Sequence, residues 1–79
     1  MMSKTEMIAM ANAWMMDYEN GIADMRPLEA MAEILLQSAK LAGYNTKEAD
    51  RHADEYSYDF VPKNLAAAME ALKKEVEAA

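Results

Sequence analysis

Between Pro27 and Gly43 the chain reads LEAMAEILLQSAKLA, a run in which apolar residues fall around most of a helical circumference. At 3.6 residues per turn Leu28, Met31, Ala32, Leu35 and Ala39 share one face, while Ile34 and Leu41 lie almost opposite. Only a narrow polar strip of Glu29, Glu33, Gln37 and Lys40 remains. A helix this apolar needs cover on several sides, so the spacing predicts the central helix of a bundle. Pro27 suits the first helical turn, where its missing amide would be unpaired anyway, and Gly43 supplies the stop.

Three further helical segments account for nearly all of the remainder. No stretch shows the period-two alternation or the β-branched enrichment of a strand. Helix 1 is expected to open at Ser3-Lys4-Thr5-Glu6, whose spelling is that of a capping box, and to end near Asn20-Gly21. Its inward face is Met7, Ala11, Trp14 and Tyr18, flanked by Ile8 and Met15, with Met16 on the far side. Asn45, with Glu48 three residues on, reads as the cap and box of helix 3, expected to run to about Asp59 with a thin inner stripe of Ala49, Ala53, Tyr56 and Phe60. Pro62 forces a boundary. Helix 4, from about Lys63 to Glu77, carries Leu65, Ala68, Met69, Leu72 and Val76 as one stripe, with Glu70/Lys74 and Lys73/Glu77 as i,i+4 pairs outside. The expected fold is therefore all-α, a single domain over residues 1–79 built as a compact bundle of three to four helices around a central helix 2.

At 79 residues without cysteine, such a domain has neither a disulfide nor a thiolate zinc site to support it and depends on packing, which self-association, as a homodimer, would supplement. The opening MMSKTEMIAM lacks the basic region of a secretory signal, and no stretch reaches the ~18 consecutive apolar residues needed to span a bilayer. A cytoplasmic protein without membrane contact is expected. Eight basic against fourteen acidic residues give a net charge of -6. The excess is densest in residues 44–60, where Lys47 and Arg51 stand against Glu48, Asp50, Asp54, Glu55 and Asp59. A surface of that sign repels phosphate backbones and suits a basic partner, although modest negative charge also serves solubility.

Ala42, Gly43, Tyr44, Asn45, Lys47, Ala49 and Ala53 together resemble the helix-turn-helix of phage terminase small subunits, spelled A-G-Y-S-x-K-T-A with a further small residue one turn later. The resemblance covers residues 39–56 and implies a glycine turn, a polar cap and alanines that let two helices approach. The chain departs from that pattern in the length of helix 2, in Glu48 where the family has Thr, and in an outward face bearing Asp50, Asp54, Glu55 and Tyr58. DNA is bound mainly by neutralising phosphates, so direct nucleic-acid binding is not expected from such a face. A helix, a glycine C-cap, a polar N-cap and the next helix explain the same letters by local chemistry.

The sequence offers little for catalysis. His52 is the only histidine, and a lone histidine beside an inner stripe more often packs than acts as a base. Glu48 and His52 stand at i,i+4 without the second histidine or Glu-x-x-His pair that a metal set requires. Two glycines do not make a phosphate-cradling loop, so neither a cofactor nor an enzymatic role is expected. What remains is binding. The expected function is a small non-enzymatic interaction protein of phage or mobile-element type, analogous to the anti-CRISPR and other host-takeover inhibitors. It would occupy a basic surface of a host protein through Glu48, Asp50, Asp54, Glu55, Tyr58 and Asp59, with Met16 as an exposed apolar contact. The alternative is a helix-turn-helix DNA-binding or DNA-packaging protein.

Overall fold

The computed structural model describes residues 2–21, 24–54 and 62–79, the side chains of 54, 62 and 63 excepted. Among them four helices follow in order: α1 (Lys4–Glu19), α2 (Arg26–Leu41), α3 (Lys47–Asp54) and α4 (Pro62–Ala78), with no strand. The fold is an all-α bundle, as the periodicity requires. The part of helix 3 expected beyond Asp54, including Tyr56 and Phe60 of its inner stripe, lies outside the described residues.

Local chemistry sets the ends. The Glu6 amide donates to Ser3 Oγ and the Ser3 amide to Glu6 Oε1, both at 3.1 Å, which closes the capping box of α1. At the far end of α2 the Gly43 amide donates to the Lys40 carbonyl and the Tyr44 amide to the Ala39 carbonyl, both at 3.0 Å. This is the Schellman arrangement, and it requires the left-handed φ of +86° that Gly43 adopts. Tyr44, delivered by that turn, packs partly buried against the core next to the helix it has just left.

Met7, Ala11 and Trp14 of α1, Leu28, Ala32, Leu35, Leu36 and Ala39 of α2, Ala49 of α3, and Leu65, Ala68, Met69, Leu72 and Val76 of α4 form the buried interior. Trp14 is fully enclosed; its indole N–H donates to the Leu28 carbonyl at 2.7 Å, and its ring stacks on Tyr18 at 5.6 Å. That hydrogen bond satisfies the one polar group of the largest core residue and ties α1 to the first turn of α2. Met10 is also partly buried against the core.

The hub position differs from expectation. α4 packs on α1, α2 and α3, whereas α2 packs chiefly on α1 and less extensively on α4. Because α2 is covered on fewer sides than its composition invites, Ile34 and Leu41 remain 54% and 77% exposed on its outer face. Helix 4, whose polar side reads as that of a strut, carries the centre instead: one unbroken stripe of five buried residues meets all three neighbours, and its Glu70–Lys74 and Lys73–Glu77 pairs face outward at 3.6 and 3.9 Å. No helix among the described residues is long and apolar enough to cross a membrane.

Candidate functional site

The acidic segment begins at the start of α3, and that start is built differently from the Asn45/Glu48 box expected of it. Asn45 stands two residues ahead of the helix, and its Oδ1 accepts from the Lys47 amide at 3.0 Å. Thr46 is the residue adjoining the helix: its carbonyl accepts from the Asp50 amide at 2.8 Å, and its hydroxyl donates to Asp50 Oδ2 at 3.0 Å. Glu48 does not fold back to a cap, because its carboxylate accepts from Arg51 at 3.0–3.1 Å on the exposed side. The unpaired amides of the first turn go to α4 instead. Glu75 receives the Ala49 amide on Oε1 at 3.0 Å and the Glu48 amide on Oε2 at 3.3 Å, so a carboxylate from a distant helix sits at the positive end of α3.

The expected contact residues separate into three groups. Glu48 is exposed and paired with Arg51. Asp50, expected to point outward, is turned toward α2. Its Oδ1 meets Lys40 Nζ at 2.9 Å while its Oδ2 holds Thr46, so this half-buried carboxylate bolts α3 to the end of α2. That correction has a simple cause: the Gly43 turn brings the last turn of α2 beside the first turn of α3, and Lys40 supplies a charge that helix periodicity alone does not register. Asp54 closes α3, with its side chain outside the described residues, as are Glu55, Tyr58 and Asp59 entirely. Met16 is 63% exposed on α1, whose packing partners are α2 and α4.

Among the described residues little else resembles a chemical site. Among the described residues no group of three or more histidine, aspartate or glutamate side chains is placed to hold a metal ion. His52 lies with its Nε2 3.3 Å from Arg51 Nη2. A groove of 420 Å³ runs between α2, α3 and the start of α4, where Ala32, Leu36, Ala53 and Leu65 line it together with the charged Glu29, Glu33, Lys40 and Asp50. The shifted titrations belong to caps and turns: the Ser3 backbone and hydroxyl hold the Glu6 carboxyl below its ordinary range, and Arg26 does the same for Asp24.

Sequence reasoning missed Lys40, Thr46 and Glu75. For Lys40 a signal existed, since a cation suits the last turn of one helix and an acid the first turn of the next, and the short Gly43 turn joins the two. For Glu75 there was none, because which α4 carboxylate reaches α3 depends on the packed geometry. Compared with protein-family models, with curated proteins and with solved structures, the chain matches none.

Proposed function

We propose that this chain is a non-enzymatic binding protein that docks on a basic surface of another protein through the carboxylates following the first turn of α3. The observation that carries this reading is the charge sequence itself. From Asp54 to Val61 the chain places Asp54, Glu55 and Asp59 with Tyr56 and Tyr58 and no basic residue. The earlier acids of the segment are already committed, Asp50 to Lys40 and Glu48 to Arg51. The working contact set is thus Asp54, Glu55, Tyr58 and Asp59, with Glu48 at its margin and Asp50 as a brace. Carboxylates flanking tyrosines suit an Arg/Lys-rich groove, where charge-assisted hydrogen bonds and planar stacking on guanidinium groups combine. Such a groove is typical of surfaces that handle nucleic acid, which makes a cytoplasmic phage or mobile-element inhibitor of a defence or nucleic-acid-processing complex the most economical role.

The test is the Asp54→Lys/Glu55→Lys/Asp59→Lys triple variant, checked for parental helicity, used beside the parent as tagged bait in a bacterial lysate. Salt-sensitive capture of a basic protein by the parent, lost in the variant, is the expected result. A helix-turn-helix DNA reader predicts the opposite sign, because the added lysines would strengthen duplex binding in a low-salt gel shift. Measurable parental affinity for duplex DNA with unchanged protein capture would overturn the proposal.

A further inference from the structure

We propose that the outer face of α2 is a self-association surface, on which the same face of a second copy lies antiparallel about a two-fold axis. The starting observation is that Ile34 and Leu41 are 54% and 77% exposed on a helix whose opposite face is fully used by the core. Along this outer face Ala30, Ile34, Gln37 and Leu41 follow at alternating steps of four and three residues, the spacing of a helix–helix seam. Glu33 and Lys40 flank the seam on one side, one heptad apart. Among the described residues Glu33 has no ion-pair partner within its own chain, and Lys40, held by Asp50 at 2.9 Å, keeps donors for a second carboxylate.

The charges choose the direction. With the two helices antiparallel and Leu41 set over Ala30 of the second copy, Ile34 falls over its Gln37, and the same register brings each Glu33 opposite a Lys40. Both flanking pairs are then attractive, and each large side chain meets a smaller or flexible one. In a parallel, in-register pair Ala30 would meet Ala30 and Gln37 would meet Gln37, with no flanking charge pair formed. An isologous contact demands that a patch be complementary to itself, and this one is, which favours a second copy over an unrelated partner. Four seam positions on one helix bury less than the ~1,200 Å² of a standard interface, so the dimer is weak and concentration-dependent.

Sedimentation equilibrium of the intact chain between ~10 µM and ~1 mM tests this, a span that brackets the micromolar-to-millimolar affinity of a small interface. The average mass should rise toward that of a dimer, and Ile34→Lys/Leu41→Lys should stay monomeric with unchanged helicity, because both sites are solvent-exposed. The register is read by Glu33→Lys and Lys40→Glu. Each alone should associate about tenfold more weakly than the mixture of the two, in which every flanking pair is again opposite in sign. Since the chain has no cysteine, Ile34→Cys mixed with Gln37→Cys gives a second measure independent of Lys40's bond to Asp50: under oxidation the mixed pair should cross-link faster than either variant alone. A parent that remains monomeric at ~1 mM, a double-lysine variant that dimerises like the parent, or Cys pairs that cross-link without preference would each overturn the proposal.

Discussion

Glu75→Ala should loosen α3 without touching the core. The substitution removes a carboxylate that accepts the Ala49 and Glu48 amides at 3.0 and 3.3 Å, leaving two first-turn donors with only water. Replacing a side-chain cap costs about 0.5–2 kcal/mol, and the lost anion at a helix N-terminus about 0.3–1 kcal/mol more. Partial exposure and the longer of the two bonds place the sum at about 1–2 kcal/mol. For a domain of this size each kcal/mol moves the midpoint by roughly 4–8 °C, so the thermal unfolding curve should shift down by about 5–15 °C. Amide hydrogen exchange supplies the site-specific reading: Ala49 and Glu48 should lose protection, while Leu35 and Met69, deep in α2 and α4, should change only by the global loss of stability. Glu75→Gln, which keeps an acceptor and loses the charge, should fall between. A midpoint within about 2 °C of the parent together with unchanged exchange at Ala49 would refute the assignment of Glu75 as the cap of α3.

Trp14→Phe should cost about 2–3 kcal/mol, part from the lost hydrogen bond to the Leu28 carbonyl and part from the unfilled volume, and chemical denaturation measures it. Leu35→Asp should abolish cooperative unfolding, because Leu35 is fully buried in the apolar cluster and the new carboxylate would be taken out of water there; a variant that melts like the parent would refute the placement of the α2 core face. Gly43→Ala meets no steric obstacle, so its penalty of about 1–2 kcal/mol should come wholly from the left-handed backbone, and Gly43→Asn should cost less. The Glu6 carboxyl should titrate by carbon-13 NMR below a glutamate in an unstructured peptide, chiefly because the Ser3 amide donates to it and secondly because of the Ser3 hydroxyl; its contribution is present above the ordinary glutamate range and fades as the pH falls through the lowered value, and Ser3→Ala, which keeps the amide, should return it only part of the way.

The periodicity of the sequence was enough to assign every buried stripe of α1 and α4, because each of those helices spends a single apolar face on the interior. It misjudged α2 for the same reason. A pattern shows how much apolar surface a helix carries, but not how many neighbours arrive to cover it, and the connections here lay α3 on α4 in preference to the outer side of α2. Ser3, Glu6 and Gly43 were readable because their partners lie within five residues. The start of α3 was not, since one cap comes from Glu75, 26 residues away, and the brace on Asp50 comes from Lys40 across a turn. Charge patterns counted along one helix overstate a free acidic face whenever the neighbouring element returns a cation to it.

The proposed acidic contact set and the proposed α2 seam fall in different stretches of the chain. α4 holds α1, α2 and α3 by their inner stripes, which leaves Ile34 and Leu41 exposed on the outer face of α2. Lys40 links the two proposals. Its ammonium bridges to Asp50 at the foot of α3 and stands beside the seam that would receive Glu33 of a second copy. If a second carboxylate drew Lys40 outward, Asp50 would keep the Thr46 hydroxyl but lose its cation, and the first turn of α3 would carry one more uncompensated charge near Glu48. Pairing of two chains would then also increase the negative potential offered to a basic partner. Two acidic faces carried by one dimer would bind a bivalent basic surface with the gain of a high effective concentration, where a monomer binds each half alone.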